Sequence, residues 1–277
     1  MSTHLPKYLD SMEKNAQKRN NINLLGKGQQ PMIFAHGFGC DQNMWRFVTP
    51  AFEDTHRIVL MDHVGSGHSD HAAYDFEKYN SLTGYAQDLI EVCEELQLQD
   101  VIVVAHSVSC MIAVLAAAAR SELFDKLILI GPSPCYINDQ DYFGGFDPKD
   151  IEELVATLES NYLGWSSYIT PVIIGNPEKP EFSEELNRSF CTMNPEIAKH
   201  FAKVTFGGDN RADLAKVRTD SLIIQCHPDV IAPVEVGQFV HKNIRNSSFV
   251  QLNTSGHCPH LTAPELVISS IKNYLYA

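Results

Sequence analysis

The stretch that most constrains the fold is a strand that runs directly into a helix, with one serine at the join. Residues 101–105 are apolar and mostly β-branched, whereas residues 108–119 are rich in alanine and contain neither Gly nor Pro, so they favour a helix. Ser107 lies between them, and the small residues Ala105 and Ser109 flank it two positions away. Such a tight turn excludes large flanking side chains and turns the serine outward, as in a nucleophile elbow. The usual elbow has Gly at both small positions, so an ordinary strand–loop–helix join stays open on this stretch alone.

Two further polar residues follow predicted strands. Asp229 comes just after the strand at 221–226, and His257 comes just after the strand at 248–252. The carboxyl ends of parallel strands meet at one edge of a sheet, where functional groups collect. A serine hydroxyl is a poor nucleophile until a histidine takes its proton and a carboxylate orients that histidine. The chain order Ser107, Asp229, His257 is that of α/β-hydrolases, and it predicts a catalytic triad.

A glycine-rich loop after another buried strand is the candidate partner for this triad. The strand at 31–35 runs into His36-Gly-Phe-Gly39, where the glycines allow backbone N–H groups to turn towards a ligand. We predict an oxyanion hole formed by the backbone N–H groups of Phe38 and Val108. A plain glycine turn is the alternative. Gln42 stands where a dinucleotide-binding fingerprint needs its third Gly, which excludes that fingerprint.

Other polar groupings fit structural roles better. The histidines and cysteine of residues 257–260, with nearby His227, lack the spacing of metal ligands, so we predict no metal and no cofactor. Residues 62–70 contain an Asp–His pair but are typical of a tightly hydrogen-bonded turn. Cys40 and Cys110 do not occupy the elbow position, and Cys110 falls one turn into a helix that is expected to be buried.

Strand and helix patterns alternate from residue 57 to residue 130, which predicts an α/β fold with a mostly parallel sheet covered on both faces. No strand run follows between residues 137 and 208. That region carries four helical segments instead, three of which begin near a proline. The predicted helices span 148–162, 163–175, 180–193 and 195–206. We predict an α/β-hydrolase fold with an N-terminal extension (1–15), a core (16–136 and 209–277) and a helical lid (137–208).

The predicted lid is rich in aromatic residues, which is typical of a cap over an apolar pocket. The alternative is that most of these rings hold the core of the lid itself, and we expect about a third of them to line a cavity. The predicted pocket residues are Phe38, Phe146, Trp165, Tyr168, Phe190 and Phe206.

The net charge and the cysteine content limit the possible binding partners and the possible cellular compartment. A net charge of −13 argues against nucleic acid or an anionic membrane as a partner, because either needs a basic face. No apolar run is long enough to span a bilayer, and the first 20 residues lack the apolar region of a secretory signal. The seven cysteines are odd in number and form no CxxC pair, which fits reduced thiols. We therefore expect a cytoplasmic protein.

Several long stretches resemble the RsbQ family of bacterial α/β-hydrolases and the plant strigolactone and karrikin receptors that share their fold. RsbQ proteins act with a PAS-domain phosphatase in the general stress response. The resemblance extends from about residue 20 to the C-terminus. Its motifs are residues 36–42 with Trp45, 62–70, 106–108, 130–134, 138–146 and 256–260.

The resemblance implies a V-shaped lid of four helices over a closed hydrophobic pocket. It also implies the triad Ser107, Asp229 and His257, with Phe38 and Val108 as the oxyanion donors. Ser109 matches the plant branch, whereas Ala105 departs from the Gly of both branches and the N-terminal extension has no counterpart.

Two functions follow as hypotheses. The first is a serine hydrolase that cleaves a small hydrophobic ester or lactone through an acyl-enzyme. The second is an RsbQ-like signalling protein or butenolide receptor, with slow hydrolysis and a protein partner such as a PAS-domain phosphatase. A binding module with a vestigial site fits less well, because every member of the triad is present.

Overall fold

A seven-stranded sheet forms the centre of the molecule, a computed structural model that describes residues 15–276. Its strands are β1 (Asn23–Leu25), β2 (Pro31–Ala35), β3 (Arg57–Met61), β4 (Val101–His106), β5 (Phe124–Ile130), β6 (Asp220–Cys226) and β7 (Ser247–Leu252). They lie in the order β1-β3-β2-β4-β5-β6-β7. Of these strands, β1 runs antiparallel to β3 and every other neighbouring pair is parallel. The predicted α/β fold with a mostly parallel sheet is confirmed.

The described residues also contain ten α-helices and five short 3₁₀ helices. The α-helices are α1 (Ala16–Arg19), α2 (Leu82–Glu95), α3 (Val108–Ala119), α4 (Pro148–Ser160), α5 (Tyr162–Ile174), α6 (Pro180–Thr192), α7 (Pro195–Gly207), α8 (Val234–Asn243), α9 (Pro259–Thr262) and α10 (Pro264–Leu275). The 3₁₀ helices are Gln42–Trp45, Thr49–Ala51, His71–Ala73, Ser121–Leu123 and Arg211–Lys216.

Both faces of the sheet are buried, which is why its central strands are almost continuously apolar. Successive side chains of a strand point to opposite faces. In β4, Val103 and Ala105 join the core that packs against α2 and α3, whereas Ile102 and Val104 join the core that packs against α10. Helices therefore cover both sides of the sheet, and its C-terminal edge is left for the loops.

The segment between β5 and β6 carries α4 to α7, which we call the lid. Pro148, Pro180 and Pro195 are the first residues of α4, α6 and α7, where a missing backbone N–H costs no helical hydrogen bond. All four helices end within two residues of their predicted limits. The helical lid insertion is confirmed, while the division into domains at residues 136 and 209 stays a prediction.

The predicted N-terminal extension falls, apart from Asn15, outside the described residues. Asn15 itself caps α1, its side chain accepting a hydrogen bond from the N–H of Lys18 at 3.1 Å. Between residues 15 and 276, none of the helices is both long and apolar enough to cross a membrane.

Candidate active site

Ser107 occupies a strained turn between β4 and α3. Its φ is +57° and its ψ is −123°, a backbone conformation that a residue with a side chain rarely adopts. Ala105 and Ser109 are fully buried on either side of the turn, so the alanine is small enough to replace the usual glycine. The tight geometry aims the Ser107 hydroxyl away from the sheet, as the sequence pattern predicts.

Ser107, His257 and Asp229 form one chain of hydrogen bonds. The Ser107 Oγ lies 2.8 Å from His257 Nε2, and His257 Nδ1 lies 2.7 Å from Asp229 Oδ2. A carboxylate can only accept, so Nδ1 donates its hydrogen to Asp229 and Nε2 is free to accept from Ser107. All three residues are buried. The arrangement lets His257 remove the hydroxyl proton of Ser107.

Backbone groups hold Asp229 in its orientation. Its Oδ1 accepts hydrogen bonds from the N–H groups of Ile231 at 2.9 Å and Ala232 at 3.1 Å. Gln225 Nε2 lies 3.4 Å from the other oxygen, Oδ2. Both carboxylate oxygens are therefore used, one by the loop and one by His257.

The two backbone N–H groups predicted as oxyanion donors lie in the segments next to Ser107. Val108 is the first residue of α3, so its N–H has no partner within the helix, and the N-terminal end of α3 carries a partial positive charge. Phe38 lies in the loop after β2, and neither its N–H nor that of Val108 is bonded to any described residue. A Cβ at Gly37 would lie 3.3 Å from the Ser107 Cβ, which shows how closely the two loops approach.

Phe190 of the lid fixes the loop around Phe38. Gly39 has φ +74°, and a Cβ there would lie only 2.3 Å from carbons of the Phe190 ring. Ser189 Oγ donates a hydrogen bond to the Gly39 carbonyl at 2.7 Å. The rings of Phe38 and Phe190 meet edge to face at 5.4 Å. The lid is therefore in direct contact with the loop that holds one candidate oxyanion donor.

A cavity of about 140 Å³ opens beside Ser107 and His257. Its wall is almost wholly apolar, and Val172 and Val230, which are 38% and 54% exposed, mark where it reaches the surface. Four of the six predicted pocket residues line it: Phe38, Phe146, Trp165 and Phe206.

The other two predicted pocket residues require correction. Tyr168 is 75% exposed, because it lies on the face of α5 that points away from the cavity. Phe190 is fully buried but lies behind Phe38 and Trp165, so it supports the wall without lining it. Helical periodicity distinguishes a buried face from an exposed one, but the sequence does not show which buried rings reach an internal cavity.

Sequence reasoning missed several residues of the wall. Cys40 and Cys258 line the cavity beside the residues of the predicted site, and Tyr136 lies on the loop after β5. Their place just beyond the ends of strands was a usable signal for all three. Burial raises the pKa of both thiols, so they contribute apolar surface rather than reactive thiolates. Cys110 is buried in the core, as predicted.

The C-terminal end of α5 is bonded to the loop that carries His257. The backbone N–H of His257 donates to the carbonyl of Ile173 at 2.8 Å. Asn176 Nδ2 donates to the Ser255 carbonyl at 2.8 Å, and Ser255 Oγ donates to the Gly175 carbonyl at 2.8 Å. These three hydrogen bonds tie the position of the candidate general base to the position of the lid.

Other buried histidines surround His257. His106 Nε2 donates to the His257 carbonyl at 2.7 Å, and the rings of His106 and His260 lie 4.4 Å apart. Burial lowers the pKa of His106 well below its ordinary value and that of His260 to about 3, so both rings are neutral. His260 also packs against Trp45, whereas His227 is exposed. The histidines considered above as metal ligands, in residues 257–260 and at position 227, therefore lie in different environments.

The turn at residues 62–70 has the hydrogen bonds expected of it. Asp62 accepts from the N–H groups of Gln42 at 2.8 Å and His68 at 3.0 Å. Ser69 Oγ donates to the Ser66 carbonyl at 2.6 Å. Asp62 and Ser69 satisfy backbone groups, as predicted.

The chain is similar to several known proteins. The sequence model of the alpha/beta hydrolase fold matches residues 30–264. The Karrikin insensitive 2 receptor CA of Petunia hybrida is 38% identical, over 94% of this chain and 97% of the relative. Strigolactone esterase D14 of Arabidopsis thaliana is 35% identical, over 95% and 98%. A solved hydrolase from Oleispira antarctica is 41% identical with a TM-score of 0.92, covering 95% and 97%. Sequence and structure together place the chain in the α/β-hydrolase family.

Proposed function

We propose that this α/β-hydrolase is a serine hydrolase that cleaves small hydrophobic esters or lactones through an acyl-enzyme on Ser107. The observation that carries the proposal is the hydrogen-bonded chain Ser107–His257–Asp229, whose serine faces an apolar cavity. The names of the relatives, which include a strigolactone esterase, support the same class of reaction.

The first half of the reaction forms the acyl-enzyme. Ser107 Oγ attacks the carbonyl carbon while its proton passes to His257 Nε2, and the Asp229 carboxylate stabilises the imidazolium that forms. The carbonyl oxygen becomes an oxyanion and accepts hydrogen bonds from the N–H groups of Phe38 and Val108, each worth about 3 kcal/mol. The tetrahedral intermediate then collapses, the C–O bond of the ester breaks, and the leaving alkoxide takes the proton from His257.

The second half returns the enzyme to its starting state. His257 takes a proton from a water molecule, which attacks the acyl carbon of the Ser107 ester. The second tetrahedral intermediate places its oxyanion at the same two N–H groups. Its collapse releases the carboxylic acid, and the proton on His257 returns to Ser107. A lactone gives a single ring-opened hydroxy acid instead of two products.

The cavity limits the size of the acyl group or lactone ring. Its volume is about 140 Å³, close to that of an engineered apolar cavity of about 150 Å³ that binds benzene. The polar residues on its wall are Ser107, His106, His257, Tyr136 and Thr205, and the rest of the lining is apolar or cysteine. The preferred substrate is therefore small and apolar, with its ester group at the end of the cavity nearest Ser107.

Hydrolysis of p-nitrophenyl acetate tests the proposal. The wild-type chain should release p-nitrophenol, and Ser107→Ala should abolish that activity. Intact-protein mass spectrometry should show an acetyl group on the wild type and none on the variant. Ser221→Ala is the control, because Ser221 is also buried but its hydroxyl donates to the backbone carbonyl of Thr219 and not to His257. Full activity of the Ser107→Ala protein would contradict the proposal.

A second candidate function has a specific observation behind it. The 38% identity to a karrikin receptor extends over nearly the whole chain, so we propose a butenolide receptor with slow hydrolysis as the alternative. Its output would be contact with a protein, such as the PAS-domain phosphatase that the RsbQ resemblance implies. A synthetic butenolide should then raise the thermal stability of the Ser107→Ala protein and change its binding to a PAS-domain phosphatase. Fast ester turnover without any ligand-dependent binding would count against this alternative.

A further inference from the structure

The peptide that carries the Phe38 N–H is held from its other side. In a trans peptide the carbonyl of Gly37 and the N–H of Phe38 point in opposite directions. The Gly37 carbonyl accepts a hydrogen bond from His36 Nδ1 at 2.8 Å and another from the Cys40 N–H at 3.2 Å. As long as these two bonds hold the carbonyl, the Phe38 N–H must face away from them.

The ring of His36 can make this bond in one tautomer only. A carbonyl cannot donate, so Nδ1 carries the hydrogen that the Gly37 carbonyl accepts. The other nitrogen, Nε2, lies 3.1 Å from the backbone N–H of His63 and accepts from it. The His36 ring is therefore fixed at both nitrogens, with Nδ1 as a donor and Nε2 as an acceptor.

The preceding peptide, that of His36, is held by Ser109 and His63. Ser109 Oγ donates to the His36 carbonyl at 2.5 Å. His63 Nε2 lies 2.6 Å from Ser109 Oγ and 3.1 Å from the same carbonyl, so its N–H donates to both. Ser109, His63 and His36 are all at most 1% exposed, which removes competition from water.

We propose that Ser109 and His63 are positioning residues for the oxyanion hole. By holding the His36 carbonyl they fix the loop from His36 to Gly39, and with it the direction of the Phe38 N–H. This inference rests on the proposed function, in which Phe38 stabilises the oxyanion. It also assigns a role to the hydroxyl group of Ser109, which a nucleophile elbow does not require.

The state of His63 fits this role. Burial lowers the pKa of His63 well below the ordinary value, against an opposite effect of its bond to the His36 carbonyl. The ring therefore keeps one hydrogen at neutral pH, and that hydrogen is on Nε2. Its Nδ1 has no partner among the described residues, so the ring makes its hydrogen bonds through Nε2.

The test compares kcat and KM for p-nitrophenyl acetate in variants of the full chain. Ser109→Ala and His63→Leu should lower kcat by roughly tenfold to a thousandfold, the upper figure being the cost of losing a whole oxyanion donor. KM should change by less than about twofold, because the ground-state carbonyl gains little from the Phe38 N–H. His63→Gln, which keeps an N–H donor, should recover part of the loss.

A second measurement reports the oxyanion hole without turnover. Phenylboronic acid forms a negatively charged tetrahedral adduct with a serine hydroxyl. Its affinity should fall in Ser109→Ala by about the same factor as kcat, because both depend on stabilising the same charge. Ser221→Ala again serves as the control, since it removes a buried serine hydroxyl of the same kind at the far end of β6.

The possible outcomes separate this inference from the proposed function. If Ser107→Ala is inactive and Ser109→Ala behaves like Ser221→Ala in kcat and boronate affinity, the positioning role is wrong and the proposed function stands. If Ser107→Ala is as active as the wild type, both are wrong. Should Ser109→Ala fail to fold, Ser109→Gly decides, because the usual elbow has glycine there and the turn accommodates it.

Discussion

Replacing Asp229 by asparagine should inactivate the protein by changing the tautomer of His257. The amide of Asp229→Asn can point its oxygen either at the loop or at His257. With the oxygen towards the loop, the N–H groups of Ile231 and Ala232 keep their acceptor. The NH₂ group then faces His257 Nδ1, which becomes an acceptor, and the ring hydrogen moves to Nε2.

The reverse orientation is excluded by its cost. It would place the NH₂ group against two buried N–H groups, each of which would lose its partner at about 1–3 kcal/mol. The sum is about 2–6 kcal/mol, which favours the first orientation by at least about thirtyfold. His257 Nε2 would then already carry a hydrogen and could not take the proton of Ser107. We expect kcat to fall by between about thirtyfold and ten-thousandfold, the larger loss being the one that this change of tautomer causes in serine proteases.

The assay is hydrolysis of p-nitrophenyl acetate, with Asp213→Asn as the control because Asp213 pairs with Lys216 on the surface. Nitrogen NMR of labelled histidine should show the hydrogen of His257 on Nδ1 in the wild type and on Nε2 in Asp229→Asn. A folded Asp229→Asn protein that keeps more than about a tenth of the activity would refute this reasoning.

Three further predictions concern the lid, the oxyanion loop and pH. Leu186→Ala widens the cavity, whereas Leu158→Ala does not, because Leu158 is buried away from the cavity wall. Each variant should lose about 2–5 kcal/mol of stability. Only Leu186→Ala should shift the substrate preference towards longer p-nitrophenyl esters. Gly39→Ala should lower the melting temperature and kcat, whereas Gly207→Ala, which meets nothing within 4 Å, should change neither by much. The pKa of His260 is about 3 in the fold, below its unfolded value. The stability that its neutral ring contributes is therefore present above pH 6.5 and is lost as the pH falls towards 3. Denaturant unfolding of His260→Gln should show a weaker dependence of stability on pH, and an unchanged slope would contradict this.

The fold and the hydrogen-bonded triad could be predicted because each rests on local pattern. Buried parallel strands leave continuous apolar runs, and residues just beyond their carboxyl ends must meet at one edge of the sheet. Ser107, Asp229 and His257 each follow such a run, and the structure brings their side chains within hydrogen-bond distance. Their catalytic roles stay a proposal that the experiments above decide.

Packing within the lid could not be predicted in the same way. Trp165 and Tyr168 are three residues apart on α5, yet the first is 4% exposed and lines the cavity while the second is 75% exposed. Which ring faces inward depends on how α5 meets α4 and α6, and no local pattern fixes that contact. The bonds of Ser109 to His63 and to the His36 carbonyl could not be predicted from the sequence either, because they join α3 to two separate loops.

The hydrogen bond from the His257 N–H to the Ile173 carbonyl has a kinetic consequence. Any movement of α5 away from the cavity breaks this 2.8 Å bond, so α5 and the loop that carries His257 must move together or lose their contact. The His257 amide should exchange its hydrogen with deuterated water only while this bond is broken, so its exchange rate reports how often α5 and the loop separate.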